Sequence, residues 1–146
     1  MQKRTDYLKA NAAAVKLMFD LETGVRQLGL PARLLHLVRL RASQINGCAF
    51  CIAMHTKEAR AEGEDQRRLD LLQSWHETDL FDEREAAALE WTEALTKVAE
   101  THAPDGAYAR FAAAFDDKQQ VALTLAINAI NSWNRLAIGF RAVPQP

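Results

Sequence analysis

Residues 46–55 read NGCAFCIAMH, and this stretch predicts a junction between two helices. An Asn-Gly pair is a good helix stop because glycine tolerates the left-handed backbone conformation that follows a helix. We therefore predict that one helix ends at Asn46 and Gly47 and that the next begins near Cys48. The two cysteines of the chain then lie in the first turn of the new helix.

The spacing of Cys48, Cys51 and His55 places three reactive groups on one helix face. Residues three and four positions apart on a helix are neighbours, and the two steps here are three and four residues. Unpaired backbone N–H groups and the helix dipole favour a thiolate at a helix start. An imidazole can take a thiol proton, and a second cysteine can resolve an oxidised first one as a disulfide. The pattern predicts a nucleophile, a base and a resolving thiol.

Three other interpretations of these residues stay open. Two buried cysteines can be ordinary core residues. Cys48, Cys51 and His55 can also supply three zinc ligands, although structural zinc usually takes four and the chain has no second cysteine pair. His55 alone can be a core histidine whose hydrogen bonds are satisfied.

The rest of the chain shows apolar residues at helical spacing and almost no strand-like alternation. Asp82 with Glu85 and Asp116 with Gln119 have the spacing of capping boxes, which predicts a helix start at each pair. The predicted helices span residues 6–22, 31–46, 48–62, 65–75, 82–101, 104–115 and 116–140. We therefore predict an all-α protein with one domain over residues 1–146.

The final predicted helix is apolar around much of its circumference, which is typical of a helix in a core or shared between subunits. Asn128, Asn131 and Asn134 recur in it at three-residue spacing. Buried amides need hydrogen-bond partners, so we expect bonds to neighbouring backbone or to another subunit. The helix therefore favours a homo-oligomer.

Composition excludes several classes of partner. The formal net charge of the 146 residues is −1, which gives no basic patch for nucleic acid or an acidic membrane surface. No stretch reaches the ~18 apolar residues of a membrane span, and the first residues lack the apolar run of a signal peptide. We expect a cytoplasmic protein that binds neither nucleic acid nor membrane.

Three runs resemble the alkylhydroperoxidase AhpD-like branch of the carboxymuconolactone decarboxylase family. They are residues 43–51 (SQINGCAFC), 54–57 (MHTK) and 131–136 (NSWNRL). The resemblance extends over roughly residues 30–144. It implies a compact all-α fold that assembles as a homotrimer or homohexamer. It also implies reduction of a hydroperoxide substrate through the cysteine pair, with a dithiol or protein reductant and without haem, flavin or metal.

The resemblance assigns a role to each member of the cysteine site. Cys51 is the thiol that attacks the peroxide, Cys48 is the resolving thiol and His55 belongs to the proton relay. Dipole reasoning alone favours Cys48 as the nucleophile, because Cys48 is nearer the helix start. Proximity to His55 favours Cys51. We expect Cys48, at the mouth of the helix, to be the sulfur more accessible to a reductant.

His36 departs from the family pattern, which usually has a glutamate twelve residues before the first cysteine. Folding the two helices back at Gly47 brings positions 36 and 55 to similar depth, at ~1.5 Å of rise per residue. We therefore expect His36 to join the catalytic site. Because histidine and carboxylate differ in charge, the substitution leaves an alternative. In this alternative, the protein is a redox-responsive binding or regulatory protein, or a disulfide reductase, without efficient peroxide turnover.

Two further pairs of residues have alternative interpretations. Arg39 and Arg41 can bind an anionic substrate group, although such residues more often form a solvated face or salt bridges between subunits. Trp91 and Trp133 lie at helical positions and are expected to be core or interface aromatics.

Overall fold

The computed structural model describes residues 2–144, which form nine α-helices, one 3-10 helix and no strand. The all-α prediction is confirmed. The α-helices are α1 (Tyr7–Ala10), α2 (Ala12–Arg26), α3 (Ala32–Asn46), α4 (Ala49–Ala61), α5 (Gln66–Leu71), α6 (Glu83–Thr96), α7 (Val98–Thr101), α8 (Asp105–Ala114) and α9 (Asp117–Gly139). The 3-10 helix follows α5 directly and spans Leu72–Glu77.

Three of the predicted helices are interrupted in the structure. The one over residues 6–22 breaks at Asn11, whose side chain accepts a hydrogen bond from the Ala14 N–H at 3.1 Å and caps α2. The one over residues 82–101 breaks at Lys97, which separates α6 from α7. The one over residues 65–75 is α-helical only to Leu71. In the first case a local side-chain bond competes with the helical backbone pattern.

The junction between α3 and α4 forms as predicted. Gly47 has φ +68°, the left-handed conformation. The N–H groups of Gly47 and Cys48 donate to the carbonyls of Gln44 and Ser43 at 3.2 and 3.0 Å, which is the Schellman pattern. Cys48 then stands immediately before the first residue of α4, at the N-cap.

Helix α3 lies between two hydrophobic cores and is buried on both sides. Leu34, Leu35 and Val38 pack into a core shared with α2, α6, α8 and α9. Leu37 and Leu40 pack into a second core shared with α4, α5, the 3-10 helix and α6. The C-terminus of α3, and with it the cysteine turn, is therefore held at a fixed place in the molecule.

An amide network fastens the end of α3 to α9. Asn46 Nδ2 donates to the side-chain oxygens of Asn131 and Asn134 at 2.9 and 2.8 Å. Asn134 Nδ2 donates to Ser43 Oγ at 3.0 Å. Asn131 Nδ2 also donates to the Ile127 carbonyl at 2.9 Å, as predicted, but the other partners are side chains of this chain and not backbone or another subunit. Asn128, in contrast, is exposed, so only two of the three asparagines of α9 are buried.

The arginines of α3 form neither a solvated face nor a free anion site. Arg39 is buried and makes an ion pair with Glu22 of α2. The Arg41 Nε donates to Glu93 of α6 at 2.8 Å. Both charges are compensated inside the chain, so the prediction of a solvated face is wrong and salt bridges to another subunit are not needed.

Candidate functional site

Cys48 and Cys51 are joined by a disulfide, with their Cα atoms 5.3 Å apart. Their sulfurs can therefore bond directly, as a nucleophile and resolving thiol must. The two cysteines are equally buried, each 2% exposed, so the greater accessibility predicted for Cys48 is not observed. Cys48 Sγ instead accepts the backbone N–H of Cys51 at 3.3 Å and caps α4.

A cavity of about 620 Å³ opens on the Cys51 side of this pair. Cys51 and His55 both contribute to its wall, and Cys48 does not. Four helices supply the lining, which comprises Tyr7, Leu8, Phe19, Glu22, Thr23, Arg26, Gln27, Phe50, Cys51, Met54, His55, Glu58, Ile130, Trp133 and Ala137. The structure therefore brings one sulfur and the predicted base to the same apolar chamber.

Aromatic side chains form much of the cavity wall. The rings of Phe19 and Trp133 lie 5.1 Å apart at 56°. Tyr7 packs against Phe140 at 5.4 Å, which secures the N-terminal segment beside the end of α9. Trp91 stacks on Phe111 in the core, as predicted, whereas Trp133 is half-buried and lines the cavity.

His55 is buried, and its two ring nitrogens have different surroundings. Nδ1 lies 3.0 Å from the Glu58 carboxylate, one helical turn further along α4. Nε2 is buried and has no hydrogen-bond partner among residues 2–144. His55 is therefore not the fully satisfied core histidine that one interpretation of the sequence allows.

Glu58 is held in its ionised form. The hydrogen bond from His55 lowers the pKa of the Glu58 carboxyl, and the charges of His55, Arg26 and His36 act in the same direction against partial burial. An ionised carboxylate only accepts hydrogen bonds.

His36 is buried but faces a second, smaller cavity. This cavity, of about 260 Å³, is lined by Arg26, Leu30, Ala32, Leu35, His36, Arg39, Glu58 and Glu62. His36 Nε2 lies 2.8 Å from a Glu62 carboxylate oxygen, but the angle between the two groups does not allow a hydrogen bond. Neither the cysteines nor His55 line this cavity. Glu58 and Arg26 line both cavities, and the charge of His36 acts on Glu58 by lowering the pKa of its carboxyl.

Several lining residues escape sequence reasoning. Phe19 and Arg26 come from α2, which carries no motif, and their approach to Cys51 depends on packing between distant segments. Glu58 has a detectable signal, because it follows His55 at the three-residue spacing of helical neighbours.

Within residues 2–144, no three or more His, Cys, Asp and Glu side chains are grouped so as to hold a metal ion. The helices in this part of the chain include none with the length and apolar content required to cross a membrane.

Comparison with known proteins finds a matching family and a similar relative. The carboxymuconolactone decarboxylase (CMD) family model matches residues 12–94. YdfG of Bacillus subtilis (strain 168), described as uncharacterized, is 41% identical over 138 residues, and the match covers 94% of each protein.

Two crystal structures are also similar to this chain. One is an Agrobacterium tumefaciens protein of unknown function, described as a candidate antioxidant defence protein AhpD. It matches with a TM-score of 0.97 and 46% identity over 99% of both chains. The debrominase Bmp8 matches with a TM-score of 0.85 and 15% identity, over 94% of this chain and 74% of its own. At that identity, the second likeness shows the fold alone.

Proposed function

The chain belongs to the carboxymuconolactone decarboxylase family, in its AhpD-like branch, and from this we propose that it is a thiol-dependent peroxidase for organic hydroperoxides. The observation that carries the proposal is the shared cavity of Cys51 and His55, with Cys48 within bonding distance behind it. A nucleophile, a base and a resolving thiol are the three groups that this chemistry requires.

The first half-reaction oxidises Cys51. His55 takes the thiol proton, and the thiolate attacks the terminal oxygen of the hydroperoxide. The O–O bond breaks as the S–O bond forms. The leaving alkoxide takes the proton from His55 and departs as an alcohol, while Cys51 becomes a sulfenic acid.

The second half-reaction restores the dithiol. The Cys48 sulfur attacks the Cys51 sulfur, an S–S bond forms, and hydroxide leaves with the Cys48 proton as water. A dithiol reductant then opens the disulfide through a mixed disulfide and is itself oxidised to a disulfide. The balance is one hydroperoxide and one reduced dithiol converted to one alcohol, one water and one oxidised dithiol.

The cavity supports an organic substrate in preference to hydrogen peroxide. Its volume lies within the roughly 300–1,000 Å³ typical of small-molecule sites. Its wall includes apolar surface from Phe19, Met54, Ile130 and Trp133. Transfer of an alkyl or aryl group from water to this surface is favourable.

The test is steady-state consumption of cumene hydroperoxide by the purified protein with dithiothreitol, with dihydrolipoamide and with a thioredoxin system. Mass spectrometry of the two cysteines follows each reaction. We expect sustained turnover with at least one dithiol. A protein that cycles its disulfide but does not turn over peroxide is instead the redox-responsive regulator or disulfide reductase of the alternative interpretation.

We also propose that the chain forms a homotrimer or homohexamer and acts in the cytoplasm. The proposed assembly is supported by large apolar side chains on the surface, including Leu17 at 71% and Val121 at 62% exposure. Light scattering during size-exclusion chromatography measures the mass directly. A monomer at micromolar concentration overturns the proposed assembly, and recovery with the membrane fraction overturns the location.

A further inference from the structure

His55 has one paired and one unpaired ring nitrogen, and this asymmetry fixes its chemistry. A neutral imidazole carries a proton on only one of its two nitrogens. A hydrogen-bond acceptor next to one nitrogen favours the tautomer with the proton on that nitrogen. Nδ1 lies 3.0 Å from Glu58 Oε2, and Nε2 has no partner among residues 2–144 although it is buried.

We propose that Glu58 is the positioning residue of the cysteine site. Its carboxylate accepts the Nδ1–H of His55, selects that tautomer and leaves Nε2 as the bare nitrogen that takes the Cys51 proton. Glu58 also stabilises the imidazolium that forms when the proton arrives, as a carboxylate behind a catalytic histidine does. This inference deepens the proposed peroxidase function and relies on it only for the identity of the oxidant.

Three features of Glu58 suit it to this role. It follows His55 by three residues on α4, so the helix itself sets the contact. Its ionised form has no proton to donate, so the hydrogen bond can run in only one direction. Finally, Arg26 and His36 hold the carboxylate in that form from the side of the second cavity.

The experiment compares Glu58→Gln and Glu58→Asp with the control Glu62→Gln in the full chain with reduced cysteines. Glu62 is the C-cap of the same helix and lines only the second of the two cavities. We measure the His55 tautomer by ¹⁵N NMR, the alkylation rate of Cys51 by iodoacetamide, and kcat and KM for cumene hydroperoxide. Thermal melting of each variant verifies that it folds.

We expect the wild type to show a protonated Nδ1, and Glu58→Gln to lose this single tautomer. Loss of a residue that orients a reactive group typically costs about 10- to 100-fold, so we expect kcat and the alkylation rate to fall by that factor. KM should change less than about threefold, since Glu58→Gln leaves the apolar side chains of the cavity wall in place. Glu58→Asp should restore part of the loss, and Glu62→Gln should match the wild type.

The inference is overturned if folded Glu58→Gln keeps the wild-type tautomer and alkylation rate. These two readouts use no peroxide, so they remain decisive even if the wild type shows no turnover. Absence of turnover with an intact Nδ1–H signal and a Glu58-dependent alkylation rate refutes the peroxidase proposal alone.

Discussion

Cys48 and Cys51 are three residues apart, but different physical effects act on their sulfurs. Cys48 lies at the N-terminus of α4, where its Sγ accepts a hydrogen bond from a backbone N–H of the first turn. Cys51 instead lines the large cavity together with His55, and Cys48 does not. The two arguments that conflict at the level of the sequence therefore apply to different steps. In the proposed mechanism, Cys51 reacts with the substrate, and the helix N-terminus stabilises Cys48 when it becomes the leaving or attacking thiolate.

Single cysteine variants separate these roles. We expect Cys51→Ser to reduce peroxide consumption to the background rate. Cys48→Ser should consume one equivalent and then stop, because nothing resolves the sulfenic acid on Cys51. A dimedone adduct on Cys51, detected by mass spectrometry, identifies that species. If Cys48→Ser blocks the first oxidation instead, the two roles are reversed.

The pairing of Glu58 with His55 also predicts a pH dependence of stability. The hydrogen bond lowers the pKa of Glu58 from its ordinary 4.5 in the folded protein. Ionised Glu58 therefore contributes stability above pH 4.5, and the contribution is lost as the pH falls through the lowered pKa. We expect Glu58→Gln to be less stable than the wild type in urea at neutral pH.

The difference between these two proteins should disappear well below pH 4.5, because a protonated glutamate then resembles glutamine. The wild type thus supplies its own control. A stability difference that is the same at every pH contradicts this account.

At the scale of secondary structure, the helix boundaries that carry local capping signals are predictable from sequence. Asp82 and Asp116 form their capping boxes as expected, and Gly47 ends α3 in the left-handed conformation. The breaks at Asn11 and Lys97 are not foreseen. Both lie within segments of helical periodicity, and Asn11 shows why periodicity is insufficient, since its side chain provides an alternative partner for the backbone.

The amide network between α3 and α9 gives an element-scale prediction. Asn134 is fully buried and bonds to both Asn46 and Ser43. Its truncation leaves the buried Ser43 hydroxyl and the half-buried Asn46 amide with fewer partners, at about 1–3 kcal/mol for an unsatisfied buried group. We expect Asn134→Ala to lower the free energy of unfolding by about 2 kcal/mol, as measured in urea.

Asn128→Ala is the matched control, because Asn128 is an exposed asparagine of the same helix. Its effect should stay within about 0.5 kcal/mol. Equal losses for the two variants indicate that helix propensity, and not the network, determines the effect.

At the scale of the whole molecule, the cavity is the feature that the sequence does not predict. Cys48, Cys51 and His55 lie within eight consecutive residues, so local spacing is sufficient to find them. The wall around Cys51 needs Tyr7 from α1, Phe19 from α2 and Trp133 from α9. Their proximity follows from how the helices pack, which no single segment encodes. The position of His36 depends on packing in the same way, and the register of α3 against α4 directs it to the second cavity.

Because the whole fold builds the cavity, its aromatic wall should determine substrate preference without changing the chemistry at Cys51. Trp133→Ala removes apolar surface and the contact with Phe19. We expect KM for cumene hydroperoxide to rise about tenfold, equivalent to ~1.4 kcal/mol of lost apolar contact. The rate with hydrogen peroxide should change less than about threefold, since that substrate has no apolar group to bind.

Leu125→Ala is the control, because Leu125 is a surface residue of α9 that does not line the cavity. A parallel loss for both peroxides in Trp133→Ala indicates that the tryptophan supports the fold of the site and does not bind substrate.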